Sequence, residues 1–399
     1  MSSNALDEVG SLGSLKKSWG SIYRKSRPGS RNSVGADGES INDFASDPNG
    51  RLLRLSRELK NHTFCFSQLR PHLIPKTNGK DRLICVPTVR DRVVQRALLN
   101  FLSDHYDKVL ANRISYGFLR GRSVKDAVHA ACELRTSHPW VLKTDISSFF
   151  DRIDRNILEK QFKKLIRERS LHRILTGAMH CEVATPSVSA TRRIKRLGIQ
   201  HGRGVRQGMP LSPFFANVVL HPFDANIIER RLNAVRYADD LIFFANSKSE
   251  CADIYDFCVS SLSKLDLELP PLTPQSKSVI FAPNEPAEFL GLGISLTSNR
   301  YVPRLLNPQH VAIQISLLQL ASVKELLARR ITLSNLGRAI ENRISGYISA
   351  YEACENILEL EHNLHLIGQK IRRNLYSKEL KIPLANLSND ARAFLALDS

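Results

Sequence analysis

Three aspartates carry the chemistry that this sequence can do. Asp145 follows the apolar run Trp140-Val141-Leu142, and Asp239-Asp240 separates two further apolar runs, Ala234-Val235-Arg236 and Leu241-Ile242-Phe243-Phe244. Short apolar runs bounded by polar residues read as buried strands, and the second pair reads as a hairpin. Burying such strands side by side brings three carboxylates to one edge of a sheet. Like charges held that close raise one another's pKa and require a compensating cation. Hard oxygen ligands select Mg²⁺, or Mn²⁺ in its place. Two such ions about 3.5–4 Å apart can clamp an in-line phosphoryl displacement. That reaction depends on positioning and charge stabilisation more than on covalent chemistry. An Asp-Asp pair alone is more often a polar hairpin turn; the second acidic strand end turns the reading towards a metal site.

The elements that must position these carboxylates follow from periodicity and turn chemistry. Residues 1–50, rich in Ser, Gly, Asn and charge, are expected to form a flexible, polar and basic segment. A helical pattern begins near Arg51. Strands His72–Pro75 and Arg82–Pro87 flank a turn at Thr77-Asn78-Gly79, and Arg90–Leu102 reads as an amphipathic helix. A loop holding Tyr116-Gly117-Phe118 precedes a helix over Val124–Leu134. Residues 181–205 are expected to be a polar, basic loop or hairpin, and an apolar helix runs from Pro213 to about Leu232. The last hundred residues switch to helical periodicity, with Leu317, Leu318, Leu320, Val323, Leu326 and Leu327 as one apolar set. Arginines and lysines, from Arg329 to Arg373, punctuate that region. The order is that of a mixed α+β body followed by a helical unit.

The bulk numbers agree with a large, nucleic-acid-facing protein. The chain has 399 residues, 42% of them hydrophobic, enough for two or three packed units. Lysine and arginine number 57 against 39 acidic residues, a net charge of +18. A surplus of that size points to a polyanionic partner. No apolar run is long enough to span a bilayer, and the polar start Met1–Ser21 lacks the apolar core of a signal peptide. The seven cysteines form no CxxC pair, and His180-Cys181 has no second half at zinc-site spacing. A cytoplasmic protein with reduced thiols and no membrane partner is expected.

Three longer motifs then stand in order. Lys143-Thr144-Asp145-Ile146-Ser147-Ser148-Phe149-Phe150-Asp151 resembles the A motif of reverse transcriptases. Gly204-Val205-Arg206-Gln207-Gly208-Met209-Pro210-Leu211-Ser212-Pro213 resembles their B motif, and Tyr237-Ala238-Asp239-Asp240 resembles their C motif. The stretch Arg82–Arg96 is similar to the fingers segment of bacterial retroelement enzymes. Ser115-Tyr116-Gly117-Phe118 with Arg120-Gly121-Arg122-Ser123 is similar to the block that precedes the A motif in that lineage. Lys277 falls where the family's D-motif lysine does, and Phe289-Leu290-Gly291 resembles the primer-grip turn. The resemblance covers about residues 65–300. It implies an α+β right-hand polymerase fold, with a flexible segment 1–50, fingers 51–140, palm 141–298 and a helical thumb 299–399.

What the resemblance implies for each residue can be stated. Asp145, Asp239 and Asp240, with the backbone carbonyl of Ile146, hold two Mg²⁺ ions, and Lys277 protonates or screens the leaving pyrophosphate. Arg82 with Lys76 and Lys80, together with Phe149, Phe150, Gln207 and Gly208, receive the deoxynucleoside triphosphate. The bulk of Phe150 is set against a 2′-hydroxyl. Tyr237, Arg120, Arg122, Phe289, Leu290 and Gly291 face template or primer. The implied partners are an RNA template, expected to be a structured non-coding RNA, the DNA product, and a second copy of the chain or an accessory protein. The setting that the resemblance suggests is antiphage defence, with retron or group II intron-type retroelements as the alternative. An RNA-dependent RNA polymerase is the nearest rival enzyme, and Phe150 with the Tyr-Ala-Asp-Asp spelling argues against it. A non-catalytic RNA-binding or splicing-helper protein is the rival of another class, and the intact aspartates argue against that.

Overall fold

The computed structural model describes residues 4–75, 81–185, 187–395 and 397. The chain divides into two compact units, one of residues 1–127 and 142–280, the other of residues 128–141 and 281–399.

The first unit begins with four helices, Ala5–Val9, Leu12–Lys25, Ile41–Ser46 and Pro48–Lys60. This corrects the expectation of a flexible segment over residues 1–50. Its few apolar residues are spaced to meet: Leu6, Val9, Leu15, Trp19, Ile41 and Phe44 are buried, and the Trp19 and Phe44 rings lie 4.6 Å apart. Several of the polar residues that suggested disorder are caps. Asn4, Ser11 and Asp47 accept hydrogen bonds from the first turns of their helices, and Ser40 forms a capping box with Asp43.

Strands β1 (Arg70–Pro75) and β2 (Asp81–Val86) pair antiparallel, with Pro75 opposite Asp81. The expected turn Thr77-Asn78-Gly79 lies outside the described residues, as do Lys76 and Lys80. The helix Val89–Leu110 extends beyond the expected Leu102 because apolar residues keep returning to one face: Val94, Leu98, Phe101 and Leu102 are followed by Tyr106 and Leu110, all buried. Strands β3 (Trp140–Asp145), β4 (Asn233–Tyr237), β5 (Asp240–Ala245) and β6 (Val279–Phe281) form one sheet in the order β4-β5-β3-β6. The helix Ser212–Glu229 is apolar on nearly all sides, as a fully buried helix must be, and sinks Phe214, Phe215, Val219 and Phe223 into the core.

Residues 181–205 also differ from expectation. They hold a helix, Val188–Arg196, in place of a loop or hairpin. Ile194 is its single buried anchor among the side chains described there, and it joins Leu69, Leu83, Cys85, Cys181 and Met209 in one cluster. One anchor in a run of arginines leaves no periodicity to read.

In the second unit, β7 (Ala287–Phe289), β8 (Leu292–Thr297) and β9 (Arg300–Arg304) form an antiparallel sheet in that order. The α-helices that follow include Asn307–Leu318, Val323–Ala328, Leu333–Ala350 and Ile357–Asn374. Leu336, Ile340, Ile344, Leu360, Leu364 and Ile371 are buried on the last two of these. Thus the expected helical stretch 299–399 opens with a strand. The expected boundaries at 140/141 and 298/299 also do not match the division of the chain. Arg135 gives the physical reason. It is fully buried and donates to the carbonyls of Ile294, Ala282 and Glu285 at 2.6, 2.9 and 2.7 Å, with its guanidinium 4.5 Å from the Tyr301 ring. That side chain ties residues 128–141 to the β7–β9 sheet. Among the described residues no helix is long and apolar enough to cross a membrane.

Candidate active site

Strand β3 runs apolar into the core through Val141 and Leu142 and delivers Asp145 at its end. Strands β4 and β5 are joined by a two-residue tip in which Tyr237 pairs with Asp240 and Ala238 takes a left-handed backbone (φ 58°). The backbone N–H of Ile146 donates to the carbonyl of Asp239 at 3.1 Å, locking the end of β3 to the hairpin tip. The three carboxylates therefore meet at one sheet edge.

The neighbours of these carboxylates are cationic. Lys277 forms an ion pair with Asp145, and the Lys143 ammonium lies 3.9 Å from Asp240. A buried hydrogen bond of 2.7 Å between Thr144 Oγ1 and Ser278 Oγ fixes the backbone that carries Lys277 beside β3. Burial pushes the Asp239 carboxyl above the usual carboxylate range; the charge of Asp145 adds to this, and Lys277 and Arg82 oppose it. Burial raises Asp240 likewise, against the pull of Lys143. A second cation would relieve both. Asp145 Oδ1 is buried and takes no hydrogen bond, as a ligand atom for such a cation would. Among the described residues no three His, Cys, Asp or Glu side chains enclose an ion by themselves. Carboxylate oxygens of this kind suit Mg²⁺, an ion that keeps waters and takes the rest of its shell from substrate phosphates.

These groups line a cleft of about 840 Å³. Phe149, Phe150, Ile146, Arg82 and Gln207 line it too, so nine of the residues expected at the site meet in one cavity. Phe149 is only 1% exposed and meets the half-buried Phe150 edge to face, ring centres 5.3 Å apart. Arg82 Nε donates to Gln207 Oε1 at 2.9 Å, and Cys85 N donates to the Gln207 carbonyl at 2.7 Å. Gly208 (φ 105°) lets this segment press onto β2, since a Cβ there would lie 2.4 Å from the Cys85 carbonyl oxygen. Gly204 (φ 76°) does the same against the Phe150 and Asp151 carbonyls, while Val205 N donates to the Phe150 carbonyl at 2.8 Å.

Other expected residues lie apart from the cleft. Arg120 pairs with Asp104, and Arg122 donates to the carbonyls of Asn112 and Ser115 with its guanidinium 5.0 Å from the Tyr116 ring. Both brace the loop 112–122; Arg120 lines a separate cavity with Phe118 and Pro213. The Tyr237 ring centre lies 6.3 Å from that of Phe118. Phe289 is fully buried in the second unit, where Leu290 (φ 52°) and Gly291 (φ 78°) make the β7–β8 turn.

Sequence reasoning missed four features. Arg193 and Arg196, from the helix Val188–Arg196, line the cleft; Arg193 pairs with Asp81 at 2.8 Å, and Arg196 has no ion-pair partner among the described residues. Gly117 abuts the hairpin tip so closely that a Cβ would lie 2.4 Å from Ala238 N. Arg236 is buried behind the same tip. The one signal for it was a charged residue inside an apolar strand.

Comparison with known proteins agrees with this geometry. A family model described as "Reverse transcriptase (RNA-dependent DNA polymerase)" matches residues 74–294. Protein YkfC of Escherichia coli K12 is 31% identical over 169 residues, 40% of this chain and 41% of that protein. The Retron Ec83 reverse transcriptase of Escherichia coli is 27% identical over 186 residues, 44% of this chain and 52% of that one. The group II intron-encoded protein LtrA of Lactococcus lactis subsp. cremoris is 24% identical over 219 residues, covering 52% of this chain and 34% of LtrA. The matched stretches span between a third and about half of these relatives.

Proposed function

We propose that this chain, which belongs to the reverse transcriptase (RNA-dependent DNA polymerase) family, extends a primer with deoxynucleotides along an RNA template at the cleft around Asp145 and Asp239. Its fold is the α+β right-hand polymerase fold of that family. The observation that carries the reading is the Ile146–Asp239 backbone bond, which joins two acidic strand ends inside a cleft walled by Arg82, Arg193, Arg196 and Lys277.

Asp145 and Asp239, with Asp240 and the Ile146 carbonyl, would hold two divalent ions, Mg²⁺ or Mn²⁺, which supply Lewis-acid stabilisation of the transferring phosphoryl group. The rest is done by the protein's own side chains. Arg82, held by Gln207, and Arg196 bind the triphosphate through charge-assisted hydrogen bonds. Lys277 neutralises charge on the leaving pyrophosphate once it exchanges Asp145 for phosphate oxygen. Phe150, which lines the cleft, would clash with a 2′-hydroxyl, and Gln207, which lines it too, would face the pairing bases together with Gly208. The template proposed is a dedicated, structured non-coding RNA, in an antiphage setting.

Primer extension on RNA, comparing deoxynucleotides with ribonucleotides, tests the polymerase reading. Synthesis confined to deoxynucleotides is expected; RNA binding without incorporation, even on the RNA that copurifies, would favour a non-catalytic binding protein. Sequencing that copurified RNA tests the template: one dominant species is expected, and a random sample of cellular RNA would contradict it.

A further inference from the structure

A cavity of about 470 Å³ in the first unit shares no lining residue with the cleft. It gathers parts of two segments singled out for their polar, basic composition: Leu6 from the N-terminal helices, and Glu182 with His201 from residues 181–205. Its volume falls within the roughly 300–1,000 Å³ of small-ligand pockets.

Two properties define what it would hold. The first is an aromatic wall. Phe64 and Phe66 meet edge to face at 5.0 Å, and the half-buried Phe66 ring lies against Gly177 of the helix His172–Met179, where a Cβ would come within 3.5 Å of it. The second is a set of exposed polar side chains at the rim, among which Arg173 is the one fixed cation. Arg173, His62, His180, His201 and Gln68 line the cavity without a side-chain hydrogen-bond partner among the described residues. The single acidic side chain in the wall, Glu182, is already bound by Arg155 at 2.7 Å and Arg206 at 2.6 Å, both buried. A flat π-face beside cationic and neutral donors suits an aromatic base attached to a phosphate.

We propose that this cavity is a second nucleotide site, in which a base stacks on Phe66 and its phosphate is held by Arg173. The nucleotide is either free or an unpaired residue of bound RNA. The site goes beyond the polymerase reading and does not depend on it.

Cys65 lines the cavity and is the one exposed cysteine among the seven, so its alkylation reports occupancy locally. The alkylation rate of Cys65 in the full chain is measured by peptide mass spectrometry without divalent metal. AMP, GMP, CMP and UMP are titrated in one arm and a short single-stranded oligoribonucleotide in the other. Saturable protection by mononucleotides identifies a free nucleotide as ligand; protection by the oligoribonucleotide alone identifies an RNA base. In either case Arg173→Gln and Phe66→Leu, which keep side-chain bulk, are expected to raise the half-protecting concentration tenfold or more. Asp239→Asn is expected to leave it unchanged, which separates this site from the catalytic one. Protection by neither ligand, or protection indifferent to both cavity variants, would overturn the proposal.

Discussion

Arg236 and Asp224 form a bidentate ion pair in the core, Nε to Oδ1 at 2.7 Å and Nη2 to Oδ2 at 2.6 Å, with each side chain 1% exposed. The same guanidinium donates to the Ala238 carbonyl at 3.1 Å, to Asn217 Oδ1 at 3.2 Å and to Ser115 Oγ at 2.7 Å. Asn217 in turn donates to the Gly117 carbonyl at 3.0 Å. One arginine thus holds the hairpin tip that carries Asp239, the helix Ser212–Glu229 and the loop around Gly117 in one arrangement.

Removing one partner of a buried pair leaves an uncompensated charge, at a cost of about 3–5 kcal/mol. Asp224→Ala is therefore expected to lower the free energy of unfolding by that order in urea melts. The double variant Asp224→Leu with Arg236→Met is expected to recover much of the stability but little of the activity. The fold would then stand while the hairpin tip loses its anchors.

Gly117→Ala isolates position from stability. The added methyl would lie 2.4 Å from Ala238 N, a backbone atom that cannot yield without moving the tip. Turnover is expected to fall about 100-fold or more, as for a misplacement of about 1 Å in a reacting group. RNA affinity, measured by filter binding, is expected to stay unchanged.

Phe150→Ala is expected to admit ribonucleotides. Shape discrimination in a pocket amounts to about 1–3 kcal/mol, so the preference for deoxynucleotides in kcat/KM should fall roughly 10–200-fold. Single-nucleotide incorporation with paired dNTP and NTP measures it.

Arg196→Gln is expected to raise KM for deoxynucleotides about tenfold or more, since a hydrogen bond to a charged group contributes about 1.5–3 kcal/mol. Arg193→Gln should have the smaller effect, because Arg193 must first leave Asp81.

The site was legible in the sequence where strands bury and acids interrupt them. Asp145 and Asp239-Asp240 end apolar runs, and glycines such as Gly208 sit where backbones must touch. What lies behind the site was not legible. A buried arginine such as Arg236 or Arg206 is spelled like a surface one, and its partner, Asp224 or Glu182, lies on another segment. Arg122, expected at the template, spends its donors on carbonyls for the same reason. The N-terminal helices were hidden because their caps have the composition of a linker. The helix Val188–Arg196 was hidden because a single apolar anchor, Ile194, has no period.

Asp239 and Asp145 together are proposed to carry the polymerase chemistry. The most direct test is single-turnover incorporation of one deoxynucleotide on a primed RNA template, comparing the unaltered chain with Asp239→Asn. Thermal melts of both confirm that each is folded. A fall of about a thousandfold or more is expected, the loss of several kcal/mol of transition-state stabilisation, with little change in primer–template affinity. Incorporation at an undiminished rate by folded Asp239→Asn would contradict it.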